Sequence, residues 1–350
     1  MNKIALITDL HFGVKNDNPV WLEEQVKYYE GFINDLKSEC IETVIMLGDV
    51  FDRRKYSNHE TVNIMKNALF DPLMFANIQV YIIVGNHDCY YRNTNLLNAP
   101  DLFLSEYSNI IIVSEPQTVM VEDTNILMLP WINELNHDNT MKLIAKPNAE
   151  ICMGHLEVAG FEMYKGMGVC HNGLSQKLFK KFKHVFSGHF HQGSKQGNIQ
   201  YLGAPMQFTW ADYDCDRGFY FFDLETQELS HVINPDDMFV KLYYDNVPLD
   251  EIDYSLDNKV VRLIVAQKDD QEAYEKFVET LTEHNKMFDF SVIDNTSFSF
   301  DGSEISAQAL ADEDTMKITE SYIESMPEES VLDGDRLKEM FNKIHNEALE

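Results

Sequence analysis

"KIALITDLHFG", residues 3–13, runs as an uninterrupted apolar stretch and then releases an aspartate and a histidine two positions apart. The apolar run reads as a buried strand. Asp9 and His11 follow where that strand runs out. The same arrangement recurs outward along the chain. "TVIML" (43–47) leads into "GDVFDRR" with Asp49 and Asp52, and "VYIIV" (80–84) leads into "GNHDC" with Asn86, His87 and Asp88. "AEICM" (149–153) leads into "GHLE" with His155, and "HVFS" (184–187) into "GHFHQG" with His189 and His191. Five buried strands thus end in residues able to bind a metal or move a proton. "WLEEQVKYYEGFINDLKSE" and "NHETVNIMKNALFDPLMFA" lie between the first three strands and carry apolar residues at helical spacing, so a largely parallel sheet is expected.

A different texture occurs between 110 and 130, where "NIIIVSE", "QTVMVED" and "NILMLPW" are separated by turn-length gaps. It returns in "IQYLGAP", "RGFYFFDLE", "ELSHVIN" and "FVKLYYD". Hairpin-connected strands imply antiparallel pairing, hence a second sheet packed on the first. The expected core is an α/β two-sheet sandwich flanked by helices. Past about 245, "KVVRLIVA", "DQEAYEKFVETLTEHNK" and "FDFSVID" read as strand, helix and strand, enough for a small α+β accessory domain. The acidic tail from Asp301 ends in a helical stripe of Leu337, Met340, Phe341, Ile344 and Ala348, predicting a C-terminal helical tail.

The chain of 350 residues carries a formal net charge of −30, which argues against a surface that binds nucleic acid unaided. A nucleic-acid substrate would need bound divalent metals or a basic partner to offset that repulsion. The five cysteines are odd in number and lack a C-x-x-C pair, against a disulfide scaffold or zinc knuckle. No window near twenty residues is continuously apolar, and Asp9 and His11 interrupt the amino terminus too soon for a signal peptide. A cytoplasmic protein without membrane association is expected.

In α/β sheets, sites gather at the carboxyl ends of strands, so these distant segments should meet in one crevice. His189 and His191 sit at i and i+2 and can converge, while Phe190 turns to the core. Glycines at 13, 48, 85, 154 and 188 fit tight departures from the strands or close approach to a ligand. Imidazoles, carboxylates and one carboxamide, with no thiolate, suit Mn, Fe or Zn, and the candidates are too many for one ion. Two ions ~3.5–4 Å apart need a bridging carboxylate, a role for which Asp49 is the natural choice. Such a site clamps a phosphoryl group and generates hydroxide near neutral pH.

The ordered set D-x-H, G-D-x-x-D, G-N-H-D, G-H and G-H-x-H resembles the calcineurin-like metallophosphoesterases. "DLHFG", "GDVFDR", "GNHD", "SGHFHQG" and "YLGAPMQFTWADYDCDRGFYFFDLE" look most like the SbcD-type DNA-repair nucleases, in the version carried by T-even-like bacteriophages. The resemblance implies one metal on Asp9, His11, Asp49 and His191, and a second on Asp49, Asn86, His155 and His189. It places His87 at the leaving oxygen as proton or hydrogen-bond donor, with Asp52 orienting its imidazole and Arg53 able to contact phosphate. Arg54 and Lys55 are read as solvated surface.

The implied activity is Mn²⁺-dependent 3′–5′ exonuclease and endonuclease cleavage of DNA, with Mg²⁺ the other ion considered. The implied division is a catalytic domain over 1–240, a DNA-contacting cap over 241–302 and a tail over 303–350. The implied partner is an SMC-like ABC ATPase docking on the C-terminal helices. A homodimer is also implied, with Leu96, Leu97, Leu102 and Phe103 as candidate contacts. The motifs specify metals and a phosphoester, so a phosphatase or cyclic-nucleotide phosphodiesterase on the same scaffold is the alternative. An assembly scaffold with a metal-ordered fold is a third reading.

Overall fold

The computed structural model describes residues 2–163, 168–244 and 255–296. In chain order the strands are β1 (Lys3–Ile7), β2 (Thr43–Met46), β3 (Gln79–Ile83), β4 (Ile110–Val113), β5 (Gln117–Val121), β6 (Thr124–Leu129), β7 (Ile151–His155) and β8 (His184–Gly188). They continue as β9 (Ser194–Gln196), β10 (Ile199–Tyr201), β11 (Gly218–Asp223), β12 (Leu229–Ile233), β13 (Phe239–Tyr244), β14 (Val260–Val265) and β15 (Asp289–Asp294). The first sheet has the order β12-β11-β1-β2-β3-β4 and the second β5-β6-β7-β8-β10-β9. β13-β14-β15 make a third, small sheet.

Three apolar layers follow from this stacking. Ile4, Leu6, Ile45, Ile83, Met128, Met153, Phe186 and Phe222 fill the space between the two large sheets. The helix Pro19–Ser38 and the helical stretch His59–Phe75 cover the outer face of the first sheet through Phe32, Leu36, Met65, Leu69 and Leu73. That stretch contains a π turn at Lys66–Phe70, which ends two residues before Pro72. Proline offers no backbone N–H and crowds the preceding turn, a recognised cause of such widening. Ile144, Phe179, Phe182, Phe190 and Tyr201 pack on the outer face of the second sheet.

The two-sheet α/β sandwich is as expected, but the pairing differs in detail. β4 pairs parallel with β3 in the first sheet, rather than antiparallel with its chain neighbours. β5 and β6 do form a hairpin, yet β6 then runs parallel to β7 and β7 parallel to β8. After β10 the chain returns to the first sheet, where β11 pairs antiparallel with β1. Turn-length gaps identify sharp reversals in the chain, not which sheet each strand joins, so the second sheet is mixed instead of antiparallel.

The accessory region has the strand, helix and strand expected of it, with the helix at Gln271–His284 and parallel pairing throughout. The predicted tail 303–350, with its Leu337–Ala348 stripe, lies outside the described residues. Among the described residues no helix is long and apolar enough to cross a membrane.

Candidate dimetal active site

The carboxyl ends of β1, β2 and β3 from one sheet, and of β7 and β8 from the other, meet at the seam of the sandwich. The loops after β1 and β2 run side by side, with the Asp9 N–H donating to Gly48 O at 3.0 Å and the His11 N–H to Asp49 O at 3.0 Å. This seam is backbone-strained where it matters: Asp9, His11, Asp49 and His189 all have positive φ, at 54°, 47°, 52° and 89°. Non-glycine residues in that region cost energy and cluster at functional sites. Two glycines make the approach possible. A Cβ on Gly85 would stand 2.2 Å from Asp49 Oδ1, and one on Gly48, whose φ is +104°, 2.4 Å from His155 Nδ1.

Two donor groups result, buried except for the partly exposed His191 and His189. Asp9, His11 and His191 bring their ligating atoms within 4.8 Å of one another, and Asp49, His155 and His189 do the same. Asp49 Oδ2 lies between them, 3.1 Å from His155 Nε2 and 4.0 Å from His11 Nε2. Asn86 Oδ1 joins the second group, 2.9 Å from both His155 Nε2 and His189 Nδ1. In the first group His11 Nε2 faces His191 Nε2 at 3.0 Å. His155 Nδ1 contacts Leu47 O at 2.8 Å, which fixes a proton there and leaves Nε2, facing Asp49 and Asn86, as the atom able to ligate once it gives up its own proton.

The electrostatics describe a site built for cations. Burial opposes charge on His11, but the nearby carboxylates of Asp52, Asp49 and Asp9 outweigh it and lift its pKa to about 9. His155 is likewise lifted to about 9 against burial, chiefly by Asp49. Asp49 itself is held well below the usual carboxylate range despite burial, by His155, His87 and His11. Burial and His155 push His189 down to about 3, and burial, His11 and Arg217 hold His191 well below its ordinary value. Protons on His11 and His155 thus occupy positions where positive charge is wanted, and divalent ions would replace them. Carboxylate, imidazole and carboxamide donors without thiolate fit hard or borderline divalent ions.

Residues 2–193 match the family model described as calcineurin-like phosphoesterase. The chain belongs to the calcineurin-like phosphoesterase family. Exonuclease subunit 1 of Enterobacteria phage T4 is 33% identical to this calcineurin-like phosphoesterase over 354 residues, covering 99% of each chain. The SbcD component of the nuclease SbcCD from Staphylococcus saprophyticus is 23% identical over 261 residues, covering 67% of this chain and 68% of its own. An archaeal phosphodiesterase of solved structure covers 66% of this chain and 99% of its own at 14% identity and a TM-score of 0.35. Its family makes the protein a metal-dependent phosphoesterase, with a two-ion site as its family character.

Every candidate ligand of the phosphoesterase comes together, and two neighbours behave differently from expectation. His87 is oriented by Asp52 through the backbone: its Nδ1 lies 2.5 Å from Asp52 O. The Asp52 carboxylate instead faces His11 Nδ1 at 3.4 Å. Arg53 is turned to Asp17, whose carboxylate pairs with the guanidinium and also accepts from Thr61 Oγ1 at 2.7 Å. Side-chain direction in a loop is not periodic, so spacing alone did not reveal either turn.

Two supporting roles were not read from the sequence, that of Asp88, which was noted there only among the candidate ligands, and that of Arg217. Asp88 is buried, its Oδ2 accepting from Asp49 N at 3.0 Å and Gly85 N at 2.9 Å, and its Oδ1 from Phe51 N at 3.1 Å. It pins the loop of Asp49 to the loop of Asn86. Arg217 is also buried, donating to the His191 carbonyl and, at 2.8 Å, to Asp212 Oδ1. The fourth letter of "GNHD" was a usable signal for Asp88. Nothing in "DCDRG" marks Arg217, whose partner lies 26 residues away.

Proposed function

We propose that this chain is the nuclease subunit of an SbcCD-like DNA recombination and repair complex, cleaving DNA ends as a Mn²⁺-dependent 3′–5′ exonuclease and as an endonuclease. The observation that carries the reading is the pair of donor groups around a shared Asp49, in a chain that aligns end to end with a phage exonuclease subunit. One ion is assigned to Asp9, His11, Asp49 and His191, the other to Asp49, Asn86, His155 and His189. Divalent ions held there would neutralise phosphoryl oxygens and acidify water near neutral pH.

The chain's own residues supply the rest. The His87 N–H is held by Asp49 Oδ1 at 2.8 Å, and its ring stands edge-on to His11 with centroids 5.0 Å apart. That position suits a donor to the leaving sugar oxygen at Nε2, with Nδ1 restrained by the Asp52 carbonyl. Asp52 is thereby a positioning residue through its main chain, and its carboxylate steadies His11. Arg53 would reach a phosphate only by leaving Asp17.

The domain division 1–240, 241–302 and 303–350 is retained as part of the proposal, with the tail as the docking segment for an SMC-like ABC ATPase. A homodimer through Leu96, Leu97, Leu102 and Phe103 is supported by the exposure of Leu96 and Leu102, at 75% and 62%. The expected compartment is the cytoplasm, that of the host if the chain is phage-encoded. The test is end-labelled linear duplex DNA with Mn²⁺, with and without the ATPase partner, using His87→Ala as control. Mononucleotides from the 3′ end with wild type only are expected. Hydrolysis of a small phosphodiester without any DNA cleavage would instead support a small-molecule phosphodiesterase.

A further inference from the structure

A net charge of −30 leaves open how a DNA end would approach this site, and the few cations of the chain are not evenly spread. Of six arginines, Arg53 and Arg54 directly follow Asp52, whose carbonyl contacts His87, and Arg92 lies five residues after His87; "RRK" at 53–55 is the one run of three consecutive basic residues. Their loops are tied to the catalytic one. Arg54 lies two residues beyond the carbonyl that holds His87, and Tyr90, Tyr91 and Arg92 follow His87 within five residues.

The aromatic residues among these cations are unusually open. Tyr56 is 73% exposed and Tyr91 53%, while Tyr90 packs edge-on against Tyr91 with centroids 4.7 Å apart. Lys55 Nζ stands 5.8 Å from the Tyr90 ring centre, joining the two loops into one strip. Arg53 is engaged by Asp17, but Arg54 is short of an acceptor. Its Nη1 is shielded from water with no hydrogen-bond partner among the described residues, and Arg92 is near enough to disfavour its charge, after burial itself. Two guanidiniums that repel each other, one lacking an acceptor, are matched by an anion shared between them.

We propose that Arg54, Lys55 and Arg92, with Tyr56, Tyr90 and Tyr91, form the strip that holds the strand to be cleaved. The two arginines take a backbone phosphate next to the scissile one, and the tyrosines offer faces to unpaired bases. This inference rests on the nuclease reading and names its substrate as an unpaired or frayed DNA end. Stacking on aromatic side chains is tolerant of sequence, and cations track the backbone, the combination used for single strands. It revises the reading of Arg54 and Lys55 as mere solvated surface. It also locates a basic footing on this chain itself, where sequence composition pointed to metals or a partner.

The test compares a short single-stranded oligonucleotide with bis(4-nitrophenyl) phosphate, both with Mn²⁺, for wild type, Arg54→Gln, Arg92→Gln and Tyr90→Ala/Tyr91→Ala. Arg92 is exposed, so its substitution reports on binding even if Arg54→Gln folds poorly. The expected result is an oligonucleotide KM raised about tenfold more than that of the small diester in each arginine variant. Loss of each phosphate contact should also flatten the salt dependence of log KM by ~0.7. The tyrosine variant should raise the oligonucleotide KM and leave that of the small diester unchanged. Equal changes for both substrates, or an unaltered oligonucleotide KM in Arg92→Gln, would overturn the strip. Wild type that hydrolyses the small diester but no oligonucleotide would overturn the nuclease reading itself, a different outcome.

Discussion

At the scale of single residues, the carboxylate proposed to bridge the ions has little freedom. Asp49 is positioned from behind by Asp88, which accepts from the backbone of Asp49, Gly85 and Phe51. Asp88→Asn keeps the shape but turns an amide donor toward N–H groups. A destabilisation of about 1–3 kcal/mol is expected from the lost acceptors. Metal affinity should also fall about 10- to 100-fold, as for other residues that orient ligands. Thermal unfolding and metal titration measure the two effects, and intact affinity would show that Asp88 serves folding alone. The sign of the pH dependence also follows from single residues. His11 and His155, each lifted to about 9, must shed protons to ligate, so metal affinity should rise from pH 6 to pH 9. Proton release on Mn²⁺ binding, read from the buffer dependence of the calorimetric heat, should approach two per chain near neutral pH; no release would place the metals elsewhere. The candidate ligands, which the fold brings together, were legible because strand ends expose them at fixed offsets. Arg217 was not, because the group it secures, the His191 carbonyl, carries no signature in sequence.

At the scale of elements, the site depends on the seam between β7, β8 and β10 being rigid. Tyr201 on β10 is fully buried, its hydroxyl accepting from Val158 N at 2.9 Å and donating to Leu156 O at 2.8 Å. Both contacts brace the segment that follows His155. Tyr201→Phe removes only the hydroxyl and leaves the Val158 N–H without its acceptor, a cost of about 1–3 kcal/mol. A lowered denaturant midpoint with an unchanged slope is the expected reading, whereas an unchanged midpoint would mean water replaces the hydroxyl without penalty. Gly85→Ala acts at the same scale with the opposite emphasis. A methyl 2.2 Å from Asp49 Oδ1 should displace the bridge and abolish tight metal binding even where the fold survives. Strands and helices were legible from apolar periodicity, including the helix Gln271–His284. The sheet that each strand joins was less so, since β4 and β6 look alike in sequence yet belong to different sheets. Partner choice is decided by packing across the sandwich, which a one-dimensional pattern does not record.

At the scale of the whole molecule, two large sheets contribute candidate ligands to one crevice, three strand ends from the first and two from the second. Two ions sharing Asp49, as proposed, would draw the sheets together and give that residue structural as well as chemical duty. Removing divalent ions with a chelator should lower the thermal midpoint by several degrees, a consequence of ligand binding to the folded state alone. The excess acid of the chain should make this effect steep at low ionic strength and weaker at high salt.

The central claim is that two ions share one carboxylate. The direct measurement is electron paramagnetic resonance of the full chain titrated with Mn²⁺. A signal of a spin-coupled pair should appear at two ions per chain and be lost in Asp49→Ala. A spectrum of isolated Mn²⁺ persisting at full occupancy of the wild-type protein would contradict the shared bridge.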